Sequence, residues 1–298
     1  MDARFQRRIQ RYGWDKAAAG YDTYWSRQVA PAQKRLLEMA SLRTGERVLD
    51  IACGTGLVSF PAAGAVGPGG SLVGTDISER MVEAARQEAR RRGIAHAAFE
   101  RADGETIGFS EGSFDAVLCS LGLMYIPDPV ASLRQAYRAL KPGGRMAAAV
   151  WGQRERCGWA GIFAVIDARV ESEVCPMFFQ LGTGNALRTA MEMAGYTNVE
   201  LERLETRLDY TDAREAIGAA FAGGPVALAY SRFDERTRDE AHAEYLRTIE
   251  PYAAGGGYSL PGEFVVAVGW KGDCPQSKPA RIEQSHGLAF LQHSHAEN

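Results

Sequence analysis

Through the first half of the chain, short apolar runs that end in glycine or an acidic residue alternate with stretches of helical texture. Apolar residues recur at helical spacing from Pro31 to Ala40, with Leu36, Leu37 and Ala40 on one side. Arg47 to Cys53 (RVLDIAC) is a compact apolar run closed by Gly54, the signature of a buried strand. After the GPGG cluster at Gly67 to Gly70, Ser71 to Thr75 reads as a second strand ending at Asp76. Ser78 to Gly93 is helical, and its arginine-rich end suits a helix C-terminus. Ala97 to Arg101 and Phe114 to Ser120 read as the third and fourth strands. A helix from Pro129 to Leu140 begins on proline and is stopped by KPGG, and Arg145 to Trp151 is a fifth strand. Strands and helices alternating at this pitch predict an α/β fold: a doubly wound, mostly parallel sheet with helices on both faces.

Beyond Trp151 the order changes. Trp159 to Val174 and Ala186 to Ala194 read as helices, and Val199 to Leu208 as a strand. Ala213 to Phe221 and Glu235 to Glu250 are helical again, and Phe264 to Trp270 closes as a strand. The sheet is thus expected to have seven strands, with a helical insertion before the last. From Lys271 the chain turns polar and carries His286, His293 and His295, so residues 271–298 are expected to be a disordered tail.

Composition narrows the chemistry. At 298 residues the chain can bury a full core without disulfides or metals. A net charge of −3, with no basic stripe, argues against a nucleic-acid partner. Cys53, Cys119, Cys157, Cys175 and Cys274 are scattered and form no C-x-x-C pair, so no metal site is expected. The N-terminus lacks the apolar region of a signal peptide, and no run approaches the ~18 apolar residues of a membrane-spanning helix. These features predict a cytoplasmic protein without stable membrane insertion.

The strongest motif is VLDIACGTG, Val48 to Gly56, at the turn from the first strand into the first helix. Ligands of open parallel sheets bind beyond the carboxyl ends of the strands, and glycines there let backbone approach a ligand closely. Asp76 ends the second strand twenty residues after Gly56, where a carboxylate can accept from both ribose hydroxyls of an adenosine. It also has capping-box spacing with Glu79, and both roles can hold together. Asp103 ends the third strand, suited equally to an adenine amino group and to an ordinary turn. The third glycine of a dinucleotide turn is missing, since Leu57, Val58 and Ser59 follow Gly56. A phosphate-cradling Gly-Lys-Ser/Thr ending is missing too.

In these residues the chain resembles the class I S-adenosylmethionine-dependent methyltransferases, and is similar to the ubiquinone/menaquinone-biosynthesis group among them. The resemblance runs from Trp14 to Trp151. It rests on WDKAAAGYD at Trp14 to Asp22, VLDIACGTG, GTDIS at Gly74 to Ser78, RADGETIGFSEGSFDAVLCSLGLMYIPD at Arg101 to Asp128, and LKPGG at Leu140 to Gly144. One departure is Ala52, where the family's turn begins with glycine. The resemblance implies a Rossmann-like methyltransferase fold in one domain: a helical lid at 1–41, a cofactor-binding core at 42–152, and substrate-covering helices with closing strands at 153–270. It implies S-adenosylmethionine as cofactor. Asp50, Ala52, Gly54 and Gly56 would shape the methionine end, Asp76 would bind ribose, and Ile77 with Met81 would pack near the adenine. Asp103 and Gly104 would meet the adenine edge, Cys119 would offer a backbone carbonyl to the cofactor's amino group, and Tyr21 would close over the methionine end.

Methyl transfer from a sulfonium needs alignment and exclusion of water, and a base only where the acceptor must lose a proton. The acceptor side is therefore less legible. Tyr21, Tyr125 and His242 are candidate acid/base groups, and Tyr125, Trp151, Phe178, Phe179 and Tyr258 are candidate wall residues for a small apolar or aromatic methyl acceptor. Carbon, oxygen and nitrogen acceptors stay open, as does the oligomeric state. Two other readings are a non-catalytic S-adenosylmethionine-binding regulator and an NAD-dependent oxidoreductase, the latter disfavoured by the missing third glycine.

Overall fold

A computed structural model describes residues 3–170, 178–224 and 226–272. The tail from 273 onward, the end of the helix expected to reach Val174, and Cys175 and Cys274 lie outside the described residues. The chain opens with α1, Ala3–Ala40, a single helix roughly 57 Å long at 1.5 Å per residue. Its C-terminal part is core: Val29, Ala32, Leu36 and Ala40 are buried.

Five parallel strands follow: β1 (Arg47–Ile51), β2 (Ser71–Asp76), β3 (Ala97–Arg101), β4 (Phe114–Ser120) and β5 (Leu140–Trp151), with α2 (Ser59–Val66), α3 (Glu79–Arg92) and α4 (Pro129–Ala139) between them. The strands are apolar because both faces are covered; Val48, Leu49, Val117 and Leu118 have no exposed surface. Helix ends follow their local chemistry. The Ser78 side chain accepts from the Met81 N–H at the start of α3, Gly93 closes that helix at φ 67°, and Asp128 caps α4 through Ala131.

The second half supplies α5 (Gly161–Asp167), α6 (Ala186–Met193), β6 (Thr197–Tyr210), α7 (Ala213–Ile217), α8 (Ala227–Tyr230), α9 (Glu235–Ile249), β7 (Ala253–Ala254) and β8 (Gly257–Trp270). Strand order is β3-β2-β1-β4-β5-β8-β6, with β8 antiparallel to both neighbours. The order reverses between β1 and β4, which puts the ligand crevice above their carboxyl ends.

Three differences from the sequence reading have local causes. The sheet has an eighth strand, the two-residue β7, because Gly255 and Gly256 both take positive φ (60° and 85°) and turn it back onto β8. The closing strand starts at Gly257 rather than Phe264. Its first half pairs with β6 but not with β5, and Pro261 is tolerated on that half-free edge. The helix expected over Ala213–Phe221 widens into a π turn at Gly218–Ala222, where the Tyr24 ring of α1 presses on Gly218. Among the described residues no helix is long and apolar enough to cross a membrane.

Candidate active site

The loops after β1, β2, β3 and β4 surround a cleft that is open on one side, with about 740 Å³ of empty space counting the solvent at its mouth. Tyr21, Ala52, Gly54, Asp76, Ile77, Met81, Asp103, Gly104 and Tyr125 all line it. Ala52 sits at φ 56°, a left-handed conformation that costs a residue with a side chain roughly 1–2 kcal/mol, which explains why glycine suits this position. Gly122, across the cleft, makes room for it: a Cβ there would lie 2.4 Å from that of Ala52. Gly54 also has positive φ (54°), and a Cβ on it would meet nothing within 4 Å, so its backbone faces open cleft.

Asp76 receives two backbone donors, Gly54 N–H on Oδ2 and Ser78 N–H on Oδ1, both at 2.9 Å. Burial nevertheless pushes its carboxyl up to about 6, those N–H bonds opposing the shift. Asp50 lies behind the cleft rather than in its lining, 1% exposed. Burial raises it to about 7, against the Ser59 hydroxyl that donates to Oδ2 at 2.6 Å; its Oδ1 has no partner. Ser120 Oγ, in the lining, is likewise buried without a partner. Two desolvated carboxyls and an open glycine backbone suit a ligand that brings positive charge, as S-adenosylmethionine does through its sulfonium and ammonium groups. They oppose a pyrophosphate. The residues present fit the cofactor implied by the sequence.

The N-terminal half of α1 roofs this cleft and is tied to three of its loops. Asp22 accepts from Thr55 Oγ1 (2.6 Å) after β1. Asp15 accepts from Ser78 Oγ (2.7 Å) and Arg80 N–H (3.2 Å) after β2. Arg7 pairs with Asp103 (3.0 Å) and Glu105 (2.7 Å) after β3.

Beneath the roof a second, smaller cavity of about 320 Å³ shares Trp14, Tyr21, Leu121 and Tyr125 with the cleft. Its other walls are Trp25, Val29, Met124, Trp151, Trp159 and Gly224. Trp25, Trp151 and Trp159 pack edge to face, with ring centroids 4.9–5.9 Å apart.

Several expected residues lie elsewhere. Cys119 has no exposed surface and points at Gly122; burial pushes its thiol up to about 12. The lining residues on this side are Ser120, Leu121 and Gly122, where β4 ends and Leu121 turns at φ 58°. Gly56 (φ 93°) serves packing: a Cβ on it would strike the Phe60 ring at 2.5 Å. Phe178 and Phe179 stack behind Trp159 (5.6 and 5.8 Å) rather than in the wall. Tyr258 is spent at the far end of the β6–β8 pairing, opposite Tyr210. His242 lines neither cavity. It is hydrogen-bonded to Tyr230 at 3.0 Å and packed on Phe221, and burial lowers its pKa. Tyr21 is in place, but burial, with the Asp22 and Asp76 charges adding, drives its phenol well above the ordinary 10 and keeps it protonated at neutral pH.

Trp14, Trp25 and Trp159 were missed as site residues. For the first two a signal was available: Arg7, Trp14, Tyr21, Trp25 and Val29 recur at near-helical spacing and form the face of α1 that lines the two cavities.

The methyltransferase domain family matches residues 42–158. Nocamycin O-methyltransferase of Saccharothrix syringae is 31% identical over 82% of this chain and 91% of its own length. The chain belongs to the S-adenosylmethionine-dependent methyltransferases. A demethylmenaquinone methyltransferase of Listeria welshimeri is 32% identical over 44% of this methyltransferase and 56% of the relative. Haemonchus contortus phosphoethanolamine N-methyltransferase 2, solved with S-adenosylhomocysteine, shares the fold (TM-score 0.57, 18% identity, 87% of this chain and 58% of that one). Membership in this family sets aside the oxidoreductase reading.

Proposed function

We propose that this methyltransferase carries the methyl group to a small aromatic acceptor, and that the acceptor atom is oxygen. The observation that carries the reading is that the cleft and the aromatic cavity are neighbours sharing Trp14, Tyr21, Leu121 and Tyr125 as wall residues, which sets a donor in one beside an acceptor in the other. The O-methyltransferase that matches along nearly the whole chain favours oxygen. When bound, S-adenosylmethionine supplies a methyl group on a sulfonium whose departing thioether is neutral. The chain's own residues hold and enclose. In this reading Asp76 accepts from the ribose, Ile77 and Met81 pack on the adenine, and Asp103 and Gly104 take its edge. Gly54 and Ala52 present backbone to the methionine end, with Asp50 as the buried negative charge behind it. Tyr21 and Trp14 close from above, excluding water. The free, buried thiols of Cys53, Cys119 and Cys157 suit a reducing compartment, and the cytoplasm is the proposed location.

The test is calorimetric titration with S-adenosylmethionine and, separately, NADH, on wild type and Asp76→Ala, with thermal melts as folding control. We expect micromolar binding of the sulfonium, no binding of NADH, and at least a ten-fold loss in the mutant, the size of a hydrogen bond to a charged group. Full affinity in a folded Asp76→Ala protein would overturn the ribose assignment. Tight cofactor binding without turnover of any aromatic acceptor would instead favour the regulatory reading.

A further inference from the structure

The face of α1 turned away from the cleft carries aromatic and basic side chains in one line. Phe5, Arg8, Tyr12, Lys16 and Ala19 follow one another at helical spacing and are all exposed, Phe5 by 45% and Tyr12 by 47%. The line is roughly 21 Å long at 1.5 Å per residue. Arg7, Gln10 and Trp14, on the opposite side of the same turns, line the cleft, so the stripe is the outer surface of its roof. Among the described residues three large apolar side chains are exposed. Two of them, Phe5 and Tyr12, stand here, and the other, Met193, ends α6.

Charge gathers on the same turns. Residues 3–16 hold five cations and one acid, Asp15, in a chain of net charge −3. Asp15 is engaged by Ser78 and Arg80, and Arg7 turns inward to Asp103 and Glu105, which leaves the outer line wholly basic. Arg11 flanks it, its guanidinium 5.4 Å from the centre of the Tyr12 ring. Among the described residues Arg8 and Lys16 have no ion-pair partner. The arginine run of α3 shows the contrast. Arg86, Arg90, Arg91 and Arg92 are each paired with Glu79, Glu83 or Glu88 of their own helix, the pattern of a solvated helix end. The outer line of α1 has no such counter-charges.

We propose that this stripe docks the protein on an anionic lipid bilayer. Charge complementarity selects an acidic partner, and the interleaved rings select its kind. A helix lying on a bilayer sends its aromatic side chains to the acyl boundary while arginine and lysine reach back to the phosphates. Each cation at such a surface adds about five-fold in affinity. A nucleic-acid duplex would take the cations on its phosphates but offers Phe5 and Tyr12 no apolar layer. The contact is peripheral, since among the described residues no helix is long and apolar enough to cross a membrane. Docked in this way, α1 lies between the bilayer and the cleft.

The test is flotation of the full-length protein with vesicles of phosphatidylcholine alone, or with about 30% phosphatidylglycerol added. The variants are Arg8→Glu with Lys16→Glu, Phe5→Ala with Tyr12→Ala, and Arg90→Glu with Arg91→Glu on α3 as a control for general charge. We expect at least ten-fold tighter binding to the anionic vesicles, largely lost near 1 M salt, where the Debye length is about 3 Å. The charge reversal on α1 should cut binding at least ten-fold, and the aromatic pair roughly ten-fold with its salt dependence kept. The α3 control should bind as wild type does. None of the substituted side chains lines either cavity, so S-adenosylhomocysteine affinity, measured on the same samples, should stay at the wild-type value in every variant and show that the fold is intact. Equal binding to both vesicles, or an α3 control that loses as much as the α1 reversal, overturns the proposal. So does an aromatic pair that changes nothing, or single-stranded DNA that displaces the vesicles at equal charge, since its bases would then be what the rings stack on.

Discussion

Asp50 and Asp76 bring two carboxyl groups into the same buried corner, and burial raises both, to about 7 and about 6. Unfolded, each titrates near 3.9. Between about pH 4 and 7 the folded protein therefore holds more protons than the unfolded chain. The contribution to stability is complete below the unfolded value and is lost as pH rises through 6 and 7. Without ligand, these two groups make the protein less stable at pH 8 than at pH 5.5. Asp50→Asn, which keeps an acceptor for Ser59, should raise stability at pH 8 by on the order of 2 kcal/mol and flatten this slope. Urea unfolding at the two pH values checks it, and an unchanged slope would show that the carboxyl is ionised at no cost. The same corner predicts linkage to the ligand. A sulfonium cofactor favours the ionised carboxyls, so its binding near pH 6.5 should release protons, visible as a buffer-dependent heat in calorimetry.

At the scale of elements, α1 is held differently at its two ends. Its C-terminal end is fixed through Arg145 of β5, whose guanidinium pairs with both oxygens of Glu46 (2.7 and 2.8 Å) and donates to the carbonyls of Ala40 and Ser41. The pair is only 10% and 14% exposed, so Arg145→Met leaves a nearly buried carboxylate with the Arg43 N–H as its remaining donor and takes the guanidinium from two carbonyls. The expected cost is about 3 kcal/mol in denaturant unfolding, and a loss below 1 kcal/mol would mean that water replaces the guanidinium. This fixture was not legible in the sequence, because Glu46 and Arg145 are 99 positions apart and meet only through the sheet. What was legible is what local patterning controls: the five parallel strands and the cleft residues at the carboxyl ends of β1 to β3; the capping role expected of Asp76 falls instead to Ser78, two residues on, while Asp76 accepts from the Ser78 N–H. The end of β4 at Ser120 was read correctly, but the turn that carries Leu121 and Gly122 into the cleft lining rests on a positive φ at Leu121, which no local pattern announces. Tyr258 and His242 were drawn toward the site by chemistry alone, whereas register and packing put them against Tyr210 and Tyr230. Trp159 joins the cavity through the packing of the second half, which no local period reports.

At the scale of the molecule, the two halves of α1 impose a division of labour on the fold. The C-terminal half is core, while the N-terminal half lies over the cleft on hydrogen bonds from Asp22, Asp15 and Arg7. Before Trp25 the only buried apolar side chains are Ile9 and Ala17, beside the polar Gln6 and Gln10, so local lifting should cost less than global unfolding. A roof of this kind must lift for the cofactor to exchange, and its latches then set the release rate more than the fold's stability. Asp15→Asn with Asp22→Asn removes the charge from two of the three latches while keeping their size. Each charged hydrogen bond is worth about 1.5–3 kcal/mol at most, and exposure reduces that. The double variant should release S-adenosylhomocysteine about ten-fold faster in a chase experiment, with the denaturant midpoint nearly unmoved. A lower midpoint with an unchanged release rate would place these aspartates in the stability of the fold and leave another segment to gate the cleft. Faster release at constant midpoint would make α1 both a wall of the acceptor cavity and the timer of product exchange.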